Sequence, residues 1–312
     1  MHADLTAAWA ILALALLLDG TVGEYPAVLH PVVWIGHSIA AGLRLAPASG
    51  WWRQFIFGAL LTLLIAAGSA GLTCLLLWSV ASYPLFAILV GAILLKASFA
   101  LRELGRAAKG VLRALDEGNL PKARRALASL CSRDARALSP EELLAATIES
   151  LAENISDSFV APLFYYVLLS VPGAVAYRAI NTLDAMIGYH GKFEALGKFS
   201  ARLDDLANLI PARLTASLFL MIGWFGGGNG VQGWRILCRD GANTPSPNGG
   251  RPMSVMAGLL DVQLTKKGVY SLGEAREPLT PAKVRQAWRI VLAASGIMVI
   301  SGCLALLAMV GA

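Results

Sequence analysis

The chain has 312 residues, of which 56% are hydrophobic and only 15% are charged, and its formal net charge is +6. Because soluble domains carry about a quarter charged residues, this composition excludes an ordinary soluble protein and indicates an integral membrane protein. The positive charge fits the basic loops of a membrane protein, so we expect contact with the lipid bilayer and no nucleic-acid partner.

Long apolar segments predict helices that cross the bilayer. The first apolar run, residues 5–18, lacks the basic start and the cleavage site of a signal peptide, so we interpret it as a retained helix. Three further runs match or approach the roughly 20 residues that span a bilayer: residues 55–81, 84–101 and 290–312. We therefore predict an all-α fold, a polytopic bundle of membrane helices that forms a single integral membrane domain over residues 1–312.

Basic residues predict the orientation of these helices. They are concentrated in residues 102–140, which we interpret as a cytoplasmic helical segment, and in residues 235–289, which we interpret as a cytoplasmic loop segment. The apolar runs 55–81 and 84–101 then form a helical hairpin, and its tip at Ser82 lies on the outer side of the membrane. We predict a multi-pass protein of the cell inner membrane whose site faces the cytoplasm.

The first polar motif, LLLDGTVGEYPAVLHPVVWIGHSI, follows the first apolar run. Pro26 and Pro31 prevent one continuous helix through it. Asp19, Glu24 and His30 therefore lie in or beside an irregular stretch, where functional groups are often placed. An imidazole beside carboxylates is suited to proton transfer, so His30 and Glu24 are candidate catalytic residues.

The second motif is TIESLAENISDSFVAPLFYY, residues 147–166. Glu149, Glu153 and Asp157 recur every four residues and would form one acidic stripe on a helix. Because like charges at this spacing repel, the stripe must either face water or lie against positive groups.

The middle of the chain combines apolar runs with prolines and charges, which lipid-exposed helices do not tolerate. We predict broken or re-entrant helices around residues 159–175 and 209–228, lining a pocket that opens to the cytoplasm. Polar residues lie between these runs at helical spacing, namely Arg178, Asn181, Asp184, Arg202, Asp205 and Asn208. The alternative reading is a set of ion pairs that only holds the helices together.

The third motif, CRDGANTPSPNGGRPMSVMAGLLDVQLTKKGVYSLGEA, begins at Cys238. Its Gly, Pro and Asn residues exclude a helix over 241–250, and such a loop can direct backbone N–H groups at an anion. The flanking cations are Arg239, Arg251 and Lys266, and the polar loop residues are Asn243, Ser246 and Asn248. These residues suit a phosphate, although a loop of this composition can also be a plain connector.

Five stretches of the chain together resemble one known family. They are LDGTVGEYPAVLHPVVWIG, ATIESLAENISDSFVAPLFYY, GAVAYRAINTLDAMIGY, ARLDDLANLIPARL and RDGANTPSPNGGRPMSVMAGLL, and they occur along nearly the whole chain. In this order they look like the membrane-bound cobinamide synthase family of cobalamin biosynthesis, also called adenosylcobinamide-phosphate synthase.

The resemblance implies ATP-dependent formation of an amide between adenosylcobyric acid and aminopropanol or its phosphate. ATP and Mg²⁺ would then be the cofactors, because a carboxylate must be activated before an amine can attack it. The resemblance leaves open a homo-oligomer or a complex with other membrane enzymes of the pathway. It also leaves open whether the amine is phosphorylated and whether the activated acid is an acyl phosphate or an acyl adenylate.

Within this chemistry each candidate residue takes a hypothetical role. The candidate catalytic residues are Glu24, His30, Glu149, Glu153 and Asp184. The candidate magnesium ligands, chosen for their hard carboxylate oxygens, are Glu149, Glu153, Asp157 and Asp205. The candidate substrate or phosphate ligands are Arg178, Asn181, Arg202, Asn208, Arg239, Asn243, Ser246, Asn248, Arg251 and Lys266.

Two other functions remain open at this point. A membrane prenyl- or phosphotransferase would also place acidic residues around magnesium, but its usual acidic spacing is only loosely matched here. A sensor or transporter could share the architecture, although a transporter should contain internal repeats and none is evident.

Overall fold

The structure is a computed structural model that describes residues 2–189, 191 and 193–311, and most of them are helical. The α-helices are α1 His2–Thr21, α2 Pro31–Leu43, α3 Trp51–Ser79, α4 Pro84–Ala97, α5 Leu101–Asp116, α6 Leu120–Leu127, α7 Pro140–Ile155, α8 Ala161–Ile187, α9 Lys198–Ala207, α10 Leu209–Phe225, α11 Gly230–Asp240, α12 Gly250–Leu260 and α13 Pro281–Gly311. Two strands, β1 Gln263–Lys266 and β2 Tyr270–Gly273, form an antiparallel hairpin.

The chain divides into two compact units. The first comprises the residues up to Ala100, Ala161–Ala207 and the residues from Ser301 onward, and in it α1 packs on α4 while α3 packs on α8 and α9. The second comprises Leu101–Val160 and Asn208–Ile300, and in it α12 packs on α7, α10 and α11, while α5 packs on α6 and α7. The predicted single domain of residues 1–312 is thus subdivided by its internal packing.

The structure confirms the predicted class, an all-α polytopic membrane protein. Four helical stretches are long and apolar enough to cross a bilayer, and a bent pair, α9 with α10, would make a fifth. Along α3 large apolar side chains are exposed, including Leu60, Leu64 and Trp78. A contiguous apolar surface of this kind is expected where lipid replaces water.

Broken helices occur as predicted. Helix α8 is interrupted at Leu169 and Ser170, two residues before Pro172, and Ser170 has a φ of 59°. Proline cannot donate its backbone hydrogen bond and clashes with the preceding turn, which accounts for the break. Near the N-terminus α1 ends at Thr21, and a short 3₁₀ turn, Ala27–Leu29, precedes α2.

The two basic segments are both folded. Residues 102–140 contain most of α5 and all of α6. Residues 235–289 differ from the predicted loop, because they include the end of α11, all of α12, the β-hairpin and the start of α13. The sequence analysis predicted no strand there, since four-residue strands leave too short an alternation to detect.

Candidate functional site

In the first unit a buried lysine gathers the polar residues of the first motif. Lys96, on α4, is fully buried, and its Nζ lies 2.9 Å from Glu24 Oε1 and 3.5 Å from Asp19 Oδ1. The same ammonium lies 5.2 Å from the centre of the Tyr25 ring. Because buried charges must be paired, these contacts bring the irregular stretch after α1 against α4.

His30 completes this cluster, which we call the Lys96 cluster (Asp19, Glu24, Tyr25, His30 and Lys96). Its Nε2 lies 2.7 Å from Glu24 Oε2, and its Nδ1 accepts a hydrogen bond from the Val32 N–H at 3.2 Å. Because Nδ1 serves as an acceptor, the proton of a neutral ring is on Nε2 and is donated to Glu24. Both ring nitrogens are therefore engaged, and His30 also caps the N-terminus of α2.

The same contacts decide the charge of Glu24. Burial raises its pKa, but the hydrogen bonds and charges of His30 and Lys96 outweigh burial and lower the pKa to about 2. Burial, Glu24 and Asp19 raise the pKa of Tyr25 to about 12. A carboxylate with so low a pKa is a weak base, so this geometry suits Glu24 to holding a cation better than to taking a proton.

A second polar group of the first unit lies on α8 and α9. Arg178 Nη1 donates to Asn181 Oδ1 at 3.1 Å, and Asn181 Nδ2 donates to Asp204 Oδ1 at 3.3 Å. The predicted helical face from Arg178 to Asn181 is thus present. The Arg178 Nε is buried and makes no hydrogen bond to any described residue.

The other candidates in this part of the chain are less enclosed. Arg202 is exposed and pairs with Asp205 at 3.4 Å, and the charge of Asp205 acts on Asp184. In the second unit, Asn208 is buried at the start of α10. The Arg202–Asp205 contact is a surface ion pair, a kind that contributes little to stability.

In the second unit the acidic stripe lies against positive groups, as the sequence required. Glu149 is 3% exposed, and its Oε2 accepts a hydrogen bond from Arg133 Nη2 at 2.5 Å. Tyr270, on β2, receives a weaker contact from the same Arg133 nitrogen at 3.5 Å. Burial and the charge of Glu149 raise the pKa of Tyr270. The other Glu149 oxygen, Oε1, is buried and makes no hydrogen bond to a described residue.

Glu153 lies one turn further along α7. Its carboxylate lies so close to Gly249 that a Cβ there would collide with it, which explains why glycine occupies this position. The positive charges of Lys266 and Arg133 act on Glu153. Its negative charge also lies near the N-terminal end of α12, a location that helices favour for anions.

The third carboxylate lies in a different type of helix. Asp157 is part of a π-helical turn, Ser156–Val160, that follows α7. A π-turn holds more residues than an α-turn, so the α-helical period that aligns Glu149 with Glu153 does not extend to Asp157. The four-residue spacing alone could not reveal this local change of helix type.

The Gly/Pro/Asn loop, predicted to be non-helical over 241–250, is non-helical over 241–249, and Gly250 begins α12. Ser246 Oγ accepts hydrogen bonds from the N–H groups of Asn248 and Gly249, at 3.2 and 3.4 Å. Two of the backbone N–H groups that were predicted to be available to an anion thus form hydrogen bonds within the loop. The Asn243 side chain is exposed and contacts the Arg239 carbonyl at 3.5 Å, and Asn248 is buried.

Arg239 is held by carboxylates. Its guanidinium contacts Asp240 and Glu274, each at 2.7 Å. The hydrogen bonds that Arg239 donates to Asp240 are the largest of several effects that raise the pKa of Arg239. Burial raises the pKa of Asp240, but the bonds from Arg239 and the Gly273 N–H lower it overall. Arg239 therefore joins α11 to the β-hairpin, and its donors are engaged by protein groups instead of the phosphate predicted for them.

Arg251, in contrast, has no partner among the described residues. Its Nε is buried without a hydrogen bond to a described residue, and its positive charge acts on another cation, Arg213 on α10. The Oγ atoms of Ser254 and Ser156, both buried, also lack hydrogen-bond partners in the described part of the chain. Arg251 and Ser254 lie one turn apart on α12, and α10, which carries Arg213, packs both on α12 and on the π-turn that contains Ser156. We call them the Arg251 cluster (Ser156, Arg213, Arg251 and Ser254).

The arrangement can bind an anion, because it combines two like charges with buried hydroxyl donors. Within the described residues no three side chains of His, Cys, Asp or Glu converge as a ready-made metal centre. Four residues of these polar groups were not predicted as site residues, namely Lys96, Arg133, Arg213 and Ser254. No local motif marks them, because each meets its neighbours only through tertiary packing.

Comparison with known proteins identifies the family. The family model described as "CobD/Cbib protein" matches residues 12–291. The "Cobalamin biosynthesis protein CobD" of Dehalococcoides mccartyi is 42% identical over 88% of this chain and 89% of its own length. The protein of the same name from Geobacter metallireducens is 37% identical over 95% of this chain and 96% of its own length.

A third relative, the "Probable cobalamin biosynthesis protein CobD" of Methanothermobacter thermautotrophicus, is 40% identical over 93% of this chain and 98% of its own length. No solved structure matches the chain. The match to the family model covers most of the chain, and the relatives align over nearly their full lengths. The chain therefore belongs to the CobD/Cbib protein family, and its function lies in cobalamin biosynthesis.

Proposed function

We propose that this protein is an ATP-dependent ligase that joins adenosylcobyric acid to aminopropanol or aminopropanol phosphate through an amide bond. The observation that carries the proposal is the Arg251 cluster. A guanidinium without a carboxylate partner, a second guanidinium near it and buried hydroxyls suit a phosphate group. Both ATP and a phosphorylated amino alcohol carry such a group.

The acidic residues of α7 are the candidates for magnesium. Glu149 Oε1 is a buried carboxylate oxygen with no hydrogen bond to a described residue, and Glu153 follows one turn later. Carboxylate oxygens are the ligands that Mg²⁺ prefers, and one or two of them suffice when phosphate and water complete the shell. Glu149 and Glu153 would hold the ion. When bound, it would neutralise negative charge on the phosphate while the carboxylic acid is activated.

Arg133 and Lys266 would act in support of this arrangement. Arg133 fixes the orientation of Glu149 through a direct hydrogen bond. Lys266 balances the charge of Glu153 from β1. Their positive charges favour the ionised form of two neighbouring buried carboxylates and oppose the effect of burial.

The reaction itself is the first test. Purified protein should form an amide product from adenosylcobyric acid and aminopropanol or its phosphate, and should hydrolyse ATP only when both substrates are present. ATP turnover that does not depend on the corrinoid, or none with any amino alcohol, would contradict a ligase. Transfer to a lipid diphosphate would instead support a membrane transferase.

The proposed metal role has a separate test. Glu153→Gln should leave the protein folded, lower turnover and raise the magnesium concentration needed for half-maximal activity, because a neutral amide is a poorer ligand. Glu141→Gln is the matched control, since Glu141 is exposed in the first turn of the same helix. Equal magnesium dependence in the two variants would exclude Glu153 as a ligand.

The proposed cytoplasmic orientation can be tested by labelling. In a variant without native cysteines, Ala242→Cys should react with a membrane-impermeant maleimide only after cells are permeabilised, because ATP is cytoplasmic and basic loops favour that side. Ser82→Cys should react in intact cells. Both positions are exposed, so accessibility within the protein does not bias the result. Labelling of position 242 in intact cells would overturn the orientation.

A further inference from the structure

A basic cavity in the second unit is not used by the proposed reaction. It has a volume of about 430 Å³ and is lined by residues of α5 and α13. Four of its lining residues are cations, namely Lys109, Arg113, Arg285 and Arg289, and its one acidic lining residue is Asp116.

The four cations of this cavity outnumber its acidic lining residue, and none of them is paired within the described part of the chain. None of the four cations forms a salt bridge with any described residue, although Arg106 on the same helix pairs with Glu103 at 2.9 Å. All four are exposed at the rim of the cavity. Like charges gathered in this way repel one another unless an anion lies among them.

The wall of the cavity is apolar. The Trp288 ring packs so closely on Gly105 that a Cβ at residue 105 would collide with it. Leu112 and Val284 are buried beside the ring. A ligand that fits the cavity therefore needs both a negative group and an apolar part.

The position of the cavity along the chain favours a lipid over a soluble ligand. Arg289 is the last charged residue before the charge-free stretch that continues α13 from Ile290. This stretch forms most of the candidate span Pro281–Ala308. Arginine, lysine and tryptophan at the end of a spanning helix are expected at the level of the lipid headgroups.

We propose that this cavity binds the headgroup of an anionic phospholipid. The guanidinium groups of Arg113, Arg285 and Arg289 would contact the phosphate oxygens, and the face of Trp288 would lie along the start of an acyl chain. The site holds the basic ends of α5 and α13 at the membrane surface. It is independent of the ligase proposal.

Lipid retention tests the site directly. We would extract the protein in mixed micelles of phosphatidylglycerol and phosphatidylcholine, and count bound lipids by native mass spectrometry. Wild type should retain phosphatidylglycerol selectively. Arg285→Gln with Arg289→Gln should weaken its retention about 25-fold, since each basic residue near an anionic surface contributes about fivefold. Lys122→Gln with Arg125→Gln, outside the cavity, removes the same charge and should have little effect.

Three outcomes would overturn the proposal. One is equal retention of the two lipids by wild type, and another is an equal effect of the two double substitutions. The third is displacement of phosphatidylglycerol by millimolar ATP or inorganic phosphate, which would make the cavity a soluble-phosphate site. A melting temperature that is unchanged between the variants in pure phosphatidylcholine micelles would show that each remains folded.

Discussion

The Lys96 cluster and the Arg251 cluster show two ways in which a membrane protein can place charge away from water. In the Lys96 cluster each charged group has a partner of opposite sign, and both nitrogens of His30 are engaged. In the Arg251 cluster the guanidinium of Arg251 has no carboxylate partner among the described residues, and its charged neighbour is Arg213. The first cluster is closed, meaning that its charges are paired with one another. The second is open, meaning that it has buried hydrogen-bond donors without a partner among the described residues.

This difference separates structural charge from functional charge. A buried ion pair is costly to break but adds little when intact, so a closed cluster indicates a role in holding elements together. A buried donor without a partner loses free energy unless something binds to it, so an open cluster indicates a ligand. Substitutions should therefore affect stability in the Lys96 cluster and substrate binding in the Arg251 cluster.

The largest effect is expected at Lys96. Lys96→Met removes the cation between Asp19 and Glu24 and leaves two carboxylates close together in a buried place. We expect the free energy of unfolding to fall by about 3–5 kcal/mol, the range for breaking a buried pair. Chemical unfolding in detergent would measure it. Lys198→Met is the control, because Lys198 forms an exposed pair with Glu194, and such pairs contribute about 0–1 kcal/mol. Equal losses in the two variants would mean that the Lys96 cluster is not closed.

Arg251 should affect binding instead. Arg251→Ala should weaken the binding of ATP or aminopropanol phosphate by about 1.5–3 kcal/mol, the range for hydrogen bonds to charged groups. The Michaelis constants of both substrates would measure it.

Arg239→Ala provides the contrast for Arg251. Since Arg239 is already held by Asp240 and Glu274, its removal should lower the melting temperature and leave both Michaelis constants unchanged. If Arg239→Ala and Arg251→Ala raise the same Michaelis constant equally, the pairing of a cation with carboxylates does not distinguish a structural residue from a binding residue at these two positions.

His30 tests whether the Lys96 cluster also takes part in catalysis. Because Nδ1 caps α2 and Nε2 bonds to Glu24, His30→Ala should lower the free energy of unfolding by about 1–2 kcal/mol and leave the shape of the pH profile of turnover unchanged. His30→Asn should recover part of the loss, since asparagine is a good helix cap. Loss of one limb of the pH profile in both variants would identify His30 as a proton-transfer group.

An acid dependence of stability is expected from Glu24. Its carboxyl titrates near 4.5 when unfolded and at about 2 in the folded protein, so the unfolded chain binds the proton more tightly. The stabilisation by Glu24 is complete above pH 4.5 and is lost as the pH falls toward 2. The free energy of unfolding of wild type should therefore decrease across this window more than that of Glu24→Gln. Parallel curves would show that Glu24 is not held by its two partners.

Local patterns were sufficient to predict much of the fold. Charge-free runs identified the membrane helices, and prolines identified the end of α1 and the interruption of α8 near Pro172. The four-residue spacing of Glu149 and Glu153 placed both on one helical face, facing either water or positive groups, and the structure has Arg133 beside Glu149. These features follow from hydrophobicity, helix period and backbone chemistry, all of which act over a few residues.

The sequence by itself thus determined the class of this protein, its helical segments and the residue types available for chemistry. Only the tertiary structure decided which charges pair. Lys96 lies 72 residues from Glu24, and Arg239 lies 35 residues from Glu274, yet both pairs are in direct contact. Pairing at such separations depends on which helices pack together. Packing that pairs buried charges involves helices from a whole unit, so no short stretch of sequence can predict it.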